Sequence, residues 1–211
     1  MSGSVRAPND LSLAEDLAWR SLAAADLDAV CRNTLARPFD GGRIEIPFFL
    51  EPVLLDLSAR SVEHDGPPLA RVERILILHH LVASDGAPLA GRPVGFAQIP
   101  GAAGYLTPFR ARVLRRLASL FGGDPASFDR VARALGGEPW PVAPHAFSFQ
   151  LFPRVPVTLI LWPGDADPAG AGPDAQVTFD SSVSSHLSIE DVVVSCERLL
   201  SRLSAALKES S

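Results

Sequence analysis

The largest group of polar side chains that could do chemistry lies in the C-terminal third of the 211-residue chain. Asp165 and Asp167 stand in a loop rich in Gly, Ala and Pro. Asp180 follows a short predicted strand, and His186 comes shortly before the last predicted helix. Carboxylates combined with one imidazole suit a hard or borderline divalent cation. One hypothesis is therefore that these four residues bind a metal ion, which would activate water for hydrolysis.

The same acids also have a structural explanation. Asp165 and Asp167 are typical turn-forming residues beside Gly and Pro, and Asp180 can cap a turn. Glu190 and Asp191 suit the N-terminus of a helix, where negative charge is stabilising. The spacing of these residues matches no known metal-ligand motif. Both explanations therefore stay open.

Two adjacent histidines, His79 and His80, form a second candidate feature in a segment with helical periodicity. Successive helical residues point ~100° apart, so both imidazoles cannot bind one ion from the same face. A single histidine on a buried helix can be an axial ligand to a tetrapyrrole metal. The alternative is a core histidine that is hydrogen-bonded to a backbone carbonyl.

Nucleophile and phosphate motifs add little to these two features. The sequence has no G-x-S-x-G elbow, and Ser181 or Ser182 with His186 lacks a third member of a triad. The glycine-bearing loop at residues 101–104 opens no Walker or dinucleotide motif. Trp140 and Trp162 are most simply interpreted as core residues.

The apolar patterns predict the elements that must position these side chains. Helices are predicted at residues 13–30 with a break near Ala25, 69–83, 107–121, 125–135 and 189–207. Strands are predicted at residues 43–50, 53–57 (the two pairing as a hairpin), 147–151, 155–162 and 176–179. The 69–83 helix is apolar on nearly every face and should be buried. Strand 155–162 is a continuous apolar run, which predicts a central strand covered on both faces.

Capping signals and element order complete the expected architecture. Asp124 and Pro125 are a typical N-cap and first helical residue, Gly136 suits the position after that helix, and Ser188 and Asp191 form a capping box. Helices and strands come in clusters rather than in alternation, which predicts an α+β fold with a mostly antiparallel or mixed sheet packed against several helices. We expect one compact domain at residues 12–207, after a disordered tail at residues 1–11.

Composition restricts the class of partner. The net charge of −5 provides no global basic field for nucleic acid or anionic lipid. No apolar run approaches the ~20 residues of a membrane helix, and the first ten residues lack the apolar region of a signal peptide. Cys31 and Cys196 are too few for a cysteine metal cluster within one chain. A cytoplasmic protein that binds neither nucleic acid nor membrane is the expectation.

Several segments together follow the pattern of one family. They read ILILHHL at residues 75–81, PLAGR at 88–92, PFR at 108–110, LGG at 135–137, FPRVPV at 152–157, LWPGD at 161–165 and FD at 179–180. In this order they resemble the bacterial and archaeal family called Domain of Unknown Function 3786, over residues 12 to about 205. The resemblance implies no known reaction. Some relatives look fused to an iron–sulfur domain of the kind found with corrinoid methyl carriers, for which this chain has no cysteine cluster.

Two positions depart from the family pattern. The family usually continues Gly-Asp with two acids, an aromatic residue and prolines, whereas Gly164 and Asp165 are followed by Ala166, Asp167 and Pro168. Members usually carry an aromatic residue where His80 stands.

Three functional hypotheses follow. The first is a ligand-binding or accessory protein for a metal-centred or tetrapyrrole cofactor of the corrinoid or haem type. Its predicted cofactor-binding residues are His79, His80, Tyr105, Arg110 and Trp162. The second is a small metal-dependent hydrolase that uses the Asp and His group, and the third is a protein-interaction module built on the Arg-rich helix at residues 110–116.

Overall fold

The computed structural model describes residues 8–164 and 171–209, with side chains from Leu11 onward. These residues divide into two compact units. The first unit runs as far as Ala87 and includes Ser185–Leu187, and the second comprises Pro88–Ser184 and the chain from Ser188 onward. Each unit has its own antiparallel sheet beside helices, so the predicted α+β class is confirmed. The single domain expected at residues 12–207 stays a prediction.

The first unit joins a four-stranded sheet to helices. The helices are α1 (Pro8–Ala23), α2 (Leu27–Thr34) and α3 (Arg71–Ala83). The strands lie in chain order as β1 (Arg37–Phe39), β2 (Arg43–Phe48), β3 (Glu51–Asp56) and β4 (Ser61–His64). Buried and half-buried residues alternate along β2, as in a sheet with one face on a core.

Helix α3 is buried in this unit, as its sequence predicts. Ile75, Leu78 and Leu81 are all enclosed, and the helix packs against α1 and α2. Arg74 of α3 makes a bidentate ion pair with Glu15 of α1, with N–O distances of 2.6 and 3.3 Å. Bidentate pairing of a guanidinium with a carboxylate fixes orientation as well as distance. The ion pair therefore sets how α1 lies on α3.

The second unit contains a five-stranded antiparallel sheet. Its strands are β5 (Pro93–Gly95), β6 (Glu138–Pro139), β7 (Ala146–Phe152), β8 (Val155–Trp162) and β9 (Asp174–Asp180). They lie in the order β5-β9-β8-β7-β6, which confirms β8 as the central strand. Val157, Leu159 and Leu161 of β8 are buried on one face of the sheet.

Helices cover that face. They are α4 (Leu106–Phe109), α5 (Arg115–Phe121), α6 (Pro125–Ala134) and α7 (Ile189–Glu209), and a π-helical turn, Arg110–Leu114, connects α4 to α5. Helix α5 packs on β8 and β9, and the Phe128 ring of α6 meets the Phe147 ring of β7 edge-on at 5.5 Å. The buried face of the sheet is therefore an aromatic and aliphatic core.

Local sequence signals predicted several element ends correctly. The helical region breaks between Ala23 and Leu27. Asp124 caps α6 by accepting from the Ser127 N–H, and Gly136 has a φ of 74° after that helix. The Ser188 hydroxyl accepts from the Asp191 N–H at the start of α7.

Other expectations need correction. Residues 61–64, which lie outside the predicted strands, form β4 because they pair with β3. The helix expected at residues 107–121 includes a π-helical turn. Helix α1 begins at Pro8, inside the segment expected to be a disordered tail. Among the described residues, none of the helices combines the length and apolarity needed to cross a bilayer.

Gly137 tests how closely α6 and β7 are packed. A Cβ at Gly137 would lie 2.7 Å from the Phe149 ring and 2.8 Å from the Ala132 carbonyl oxygen, whereas a Cβ at Gly123 would meet nothing within 4 Å. We expect Gly137→Ala to lower the free energy of unfolding by about 1–3 kcal/mol, because overpacking displaces a buried ring and backbone. Gly123→Ala should change it by less than about 0.5 kcal/mol. Urea unfolding followed by circular dichroism makes the comparison, and equal stability of the two variants would contradict this packing.

Candidate ligand-binding cleft

A row of polar side chains crosses the outer face of the five-stranded sheet. Glu138 of β6 lies opposite Ser148 of β7, which lies opposite Thr158 of β8. Thr158 in turn lies opposite Thr178 of β9. We call these four residues the polar row. Because side chains alternate between the faces of a sheet, the row points away from the helix-covered core.

Thr158 stands in the middle of the polar row and is only 7% exposed. Within residues 8–164 and 171–209, its hydroxyl makes no side-chain hydrogen bond, and neither do those of Ser148 and Thr178. A hydroxyl that lines a cleft and has no protein partner is open to a hydrogen bond with water or with a bound molecule. The centre of the row therefore has hydrogen-bonding capacity to offer a bound molecule.

A cleft of about 310 Å³ lies over the polar row. Gln150 and the hydroxyls of the row line its floor, and Trp140, Leu89, Pro93 and Pro156 supply apolar surface around it. Trp140 is 45% exposed, so much of its indole faces solvent. Apolar walls around a few polar groups are the usual composition of small-molecule sites.

The carboxylate of Asp180 holds one side of the cleft in place. Its Oδ1 accepts hydrogen bonds from the Ala90 N–H at 2.9 Å and from the N–H and hydroxyl of Ser182 at 2.9 and 2.7 Å. Its Oδ2 accepts from the Gly91 N–H at 2.7 Å. Partial burial opposes ionisation, but these hydrogen bonds to Ser182, Ala90 and Gly91 outweigh it and lower the pKa of Asp180. Asp180 therefore anchors the segment around Leu89, as expected of a structural carboxylate.

A second cleft, of about 290 Å³, lies on the sheet of the first unit. Glu45, Glu63 and Asp65 contribute acids to it, and His64 lies beside them. The His64 Nε2 lies 2.6 Å from the Pro67 carbonyl oxygen. This cleft lacks an aromatic wall, which makes it the less suitable of the two for an organic ligand.

The histidines His80 and His186 form a buried hydrogen-bonded chain in the first unit. Both are 0% exposed. The His80 Nδ1 lies 3.3 Å from the His186 carbonyl oxygen, and the His186 Nδ1 lies 2.8 Å from the Ser84 hydroxyl. The Ser84 hydroxyl also donates to the Asn33 carbonyl at 3.2 Å, and a proton on His186 Nδ1 would let Ser84 make both bonds. Burial lowers the pKa of His80, so its neutral imidazole donates its Nδ1–H to the carbonyl, as in the core-histidine alternative.

The remaining predicted cofactor residues belong to both units. His79 is half-buried on α3 in the first unit, whereas Tyr105, Arg110 and Trp162 belong to the second unit. Trp162, at the end of β8, is 41% exposed. Both Trp140 and Trp162, interpreted from the sequence as core residues, are therefore surface residues. Arg110 is exposed at the start of the π-helical turn.

The predicted metal site is only partly described. Asp165 and Asp167 lie outside the described residues. Asp180 belongs to the second unit and His186 to the first. In the part of the chain that the structure describes, no group of three His, Cys, Asp or Glu side chains could hold a metal ion. The metal-site hypothesis therefore stays a prediction.

Sequence reasoning missed the polar row and Trp140. The sequence signal was a set of polar residues that fall on one face of their strands: Ser148 and Gln150, two positions apart, then Thr158, then Thr178. The apolar run of strand 155–162 predicts cover on both faces because its only polar side chain is Thr158. The walls of the cleft enclose most of that residue, so this apolar strand forms part of the cleft floor.

Acidification should destabilise the protein through His80. Burial lowers the pKa of His80 to about 3, and the hydrogen bond to His186 opposes this only in part. Its ordinary pKa is 6.5, so between these values the unfolded chain binds the extra proton. The contribution of neutral His80 to the free energy of unfolding is fully present above pH 6.5. It should fall by up to about 1.4 kcal/mol per pH unit as the pH drops towards 3. Urea melts at pH 7, 6, 5 and 4 measure this slope.

Two variants identify the residue responsible for the slope. His80→Phe should reduce the dependence of the free energy of unfolding on pH, whatever the variant does to stability at pH 7. His145→Gln, at a half-buried histidine beside Asp129, should keep the loss on acidification. An identical slope in wild type and His80→Phe would show that His80 does not cause it.

The role of Asp180 is tested by Asp180→Asn. The new amide would place an N–H₂ group against backbone N–H groups that now meet a carboxylate oxygen, so the free energy of unfolding should fall by about 1–2 kcal/mol. Asp174→Asn, at the other end of β9, is the control, because within the described part of the chain Asp174 accepts a hydrogen bond only from the N–H of Ala175. Thermal melts compare the variants. If Asp180→Asn melted at or above wild type, the anchoring role would be wrong.

One comparison with known proteins gives a match. The model of the family described as Domain of unknown function (DUF3786) matches residues 26–202, which include the polar row and the buried histidines. No curated protein and no solved structure matches the chain. The chain therefore belongs to the family described as Domain of unknown function (DUF3786), as its sequence resemblance predicts.

Proposed function

We propose that this protein binds a small polar organic molecule in the cleft over the polar row. The observation that carries the proposal is Thr158, which is largely buried, lines the cleft and makes no side-chain hydrogen bond within the described residues. Its hydroxyl is therefore available to a ligand as donor and as acceptor. A bound molecule would make a hydrogen bond that the described chain does not make.

The size and composition of the cleft support a small ligand. Its volume of about 310 Å³ is at the lower end of the roughly 300–1,000 Å³ typical of ligand sites. Trp140 offers a flat apolar surface, while Ser148 and Thr178 offer hydroxyls that both donate and accept. A molecule with one apolar face and one polar edge suits such a lining.

The framework of the cleft supports binding rather than loose surface contact. Its floor is built on β7, β8 and β9, whose backbones are paired except at an irregularity between Gln150 and Phe152. Sites carried on strands hold their geometry more closely than sites on loops. The wall around Leu89 comes from a loop, but the hydrogen bonds from Ala90 and Gly91 to Asp180 hold that loop to β9.

A tetrapyrrole does not fit this cleft. None of the described residues that line it is a His, Cys or Met, which are common axial ligands of tetrapyrrole metals. The predicted ligand His80 is instead fully enclosed in the first unit. A macrocycle would have to displace the core around α3 to reach that imidazole. We therefore base the proposal on the cleft and assign no role to a tetrapyrrole.

A screen of small organic fragments by amide NMR tests the proposal. Hits should shift resonances of β7, β8 and β9 together. Thr158→Val keeps the shape of the side chain but removes its hydroxyl, so it should weaken the hits by about three- to tenfold. Thr107→Val, at an exposed threonine of α4, should leave them unchanged. A screen in which no fragment shifts these strands, or in which hits ignore Thr158→Val, would overturn the proposal.

A further inference from the structure

We propose that the ligand of this cleft is an aliphatic amine, bound as its ammonium ion. The inference rests on the proposed function and adds the chemical class of the ligand. It follows from an imbalance between acceptors and donors in the lining, together with the apolar surface beside them.

Acceptors dominate the polar lining. The Gln150 amide nitrogen donates one of its two N–H groups to the Phe152 carbonyl, which leaves one N–H and the carbonyl oxygen of Gln150 for the cleft. Glu138 is an exposed carboxylate that makes no hydrogen bond or ion pair within the described residues. Asp180 Oδ2 accepts one hydrogen bond, from Gly91, and a carboxylate oxygen can accept two. Acceptor sites in the lining therefore outnumber donors, which favours a ligand that donates hydrogen bonds.

Positive side chains are missing from the same lining. None of the described residues that line the cleft is Lys, Arg or His. Two carboxylates, Glu138 and Asp180, stand on it instead. A bound carboxylate or phosphate would meet like charge without a cation to offset it. An ammonium group fits, because it carries three donors and a positive charge.

Thr158 is the observation that is independent of charge. Thr158 is more than nine-tenths buried, and its hydroxyl makes no side-chain hydrogen bond within the described residues. It lies beside Ser148 and Thr178 in the polar row. Hydroxyl oxygens accept from an ammonium N–H without repelling it, so the floor can hold the head group while the carboxylates balance its charge.

The apolar surface of the cleft suits an alkyl chain. Trp140 presents much of its indole, and Leu89 and Pro156 lie on the same cleft. Transfer of methylene groups from water to such a surface lowers the free energy of binding. The face of an indole also attracts a cation. An ammonium head on an alkyl chain is thus matched at both ends, whereas a sugar would lack the charge.

Two isosteric compounds separate charge from shape. Pentane-1,5-diamine is doubly protonated at pH 7, since alkylammonium groups have a pKa near that of lysine, about 10.4. Pentane-1,5-diol has the same chain and hydrogen-bonding ends without charge. Titration followed by amide NMR should give at least tenfold tighter binding of the diamine, and the shifts should map to β7, β8 and β9. Raising the salt from 50 to 500 mM should weaken the diamine alone.

Matched variants assign the effect to named side chains. Glu138→Gln should weaken the diamine by about three- to tenfold and leave the diol unchanged. Trp140→Leu should weaken it by about three- to tenfold, while Trp162→Leu, at a tryptophan of similar exposure outside the cleft lining, should not. Thermal melts check that each variant is folded.

The outcomes separate the two proposals. If the diol binds the cleft as tightly as the diamine, or Glu138→Gln leaves diamine binding intact, the amine assignment is overturned and the proposed function stands. If neither compound binds the cleft but other fragments do, the amine assignment is again overturned alone. If no compound or fragment shifts β7, β8 or β9, both proposals are overturned.

Discussion

The carboxylate of Asp180 links the end of β9 to the segment that leads into β5. Two backbone N–H groups of that segment, Ala90 and Gly91, and both donors of Ser182 converge on it. Strand β5 has only three residues and pairs with β9 at the edge of the sheet, so its own ladder holds it weakly. One ionised side chain therefore decides where the loop wall of the cleft stands. This is a structural use of an acid that the sequence equally suggested as a metal ligand.

The first unit uses a buried polar chain for a comparable purpose. The His80 Nδ1–H donates to the His186 carbonyl, the His186 Nδ1 bonds the Ser84 hydroxyl, and Ser84 donates to the Asn33 carbonyl. Gly86 lies so close to Asn33 that a Cβ there would approach its side-chain oxygen to 2.7 Å. A backbone bond from the Asp85 N–H to the Ser185 carbonyl links the same two segments. Burial favours the neutral form of His80, which serves as a hydrogen-bond donor within the core.

The sequence predicted the framework more completely than the site. Periodicity and capping located α3, β8 and α6, because each depends on contacts within a few residues of the chain or on an apolar run. The polar row depends on register between distant strands, which brings Glu138 opposite Ser148 and Thr158 opposite Thr178. No single segment records that pairing. The apolar run around Thr158 predicts a strand that is covered on both faces. The walls that enclose Thr158 come from other segments of the chain, so the run alone does not reveal the cleft.

Trp140 also gives the cleft an intrinsic fluorescent probe. The emission of an indole depends on its hydration, and this ring is about half in water while lining the cleft. Trp19 is enclosed in the first unit, so its emission should depend little on solvent. Replacing Trp162 with Phe would leave Trp140 as the main solvent-sensitive fluorophore of the described chain. Binding of a molecule against this indole would then remove water from the ring and shift its emission to shorter wavelength, so binding could be followed without a label.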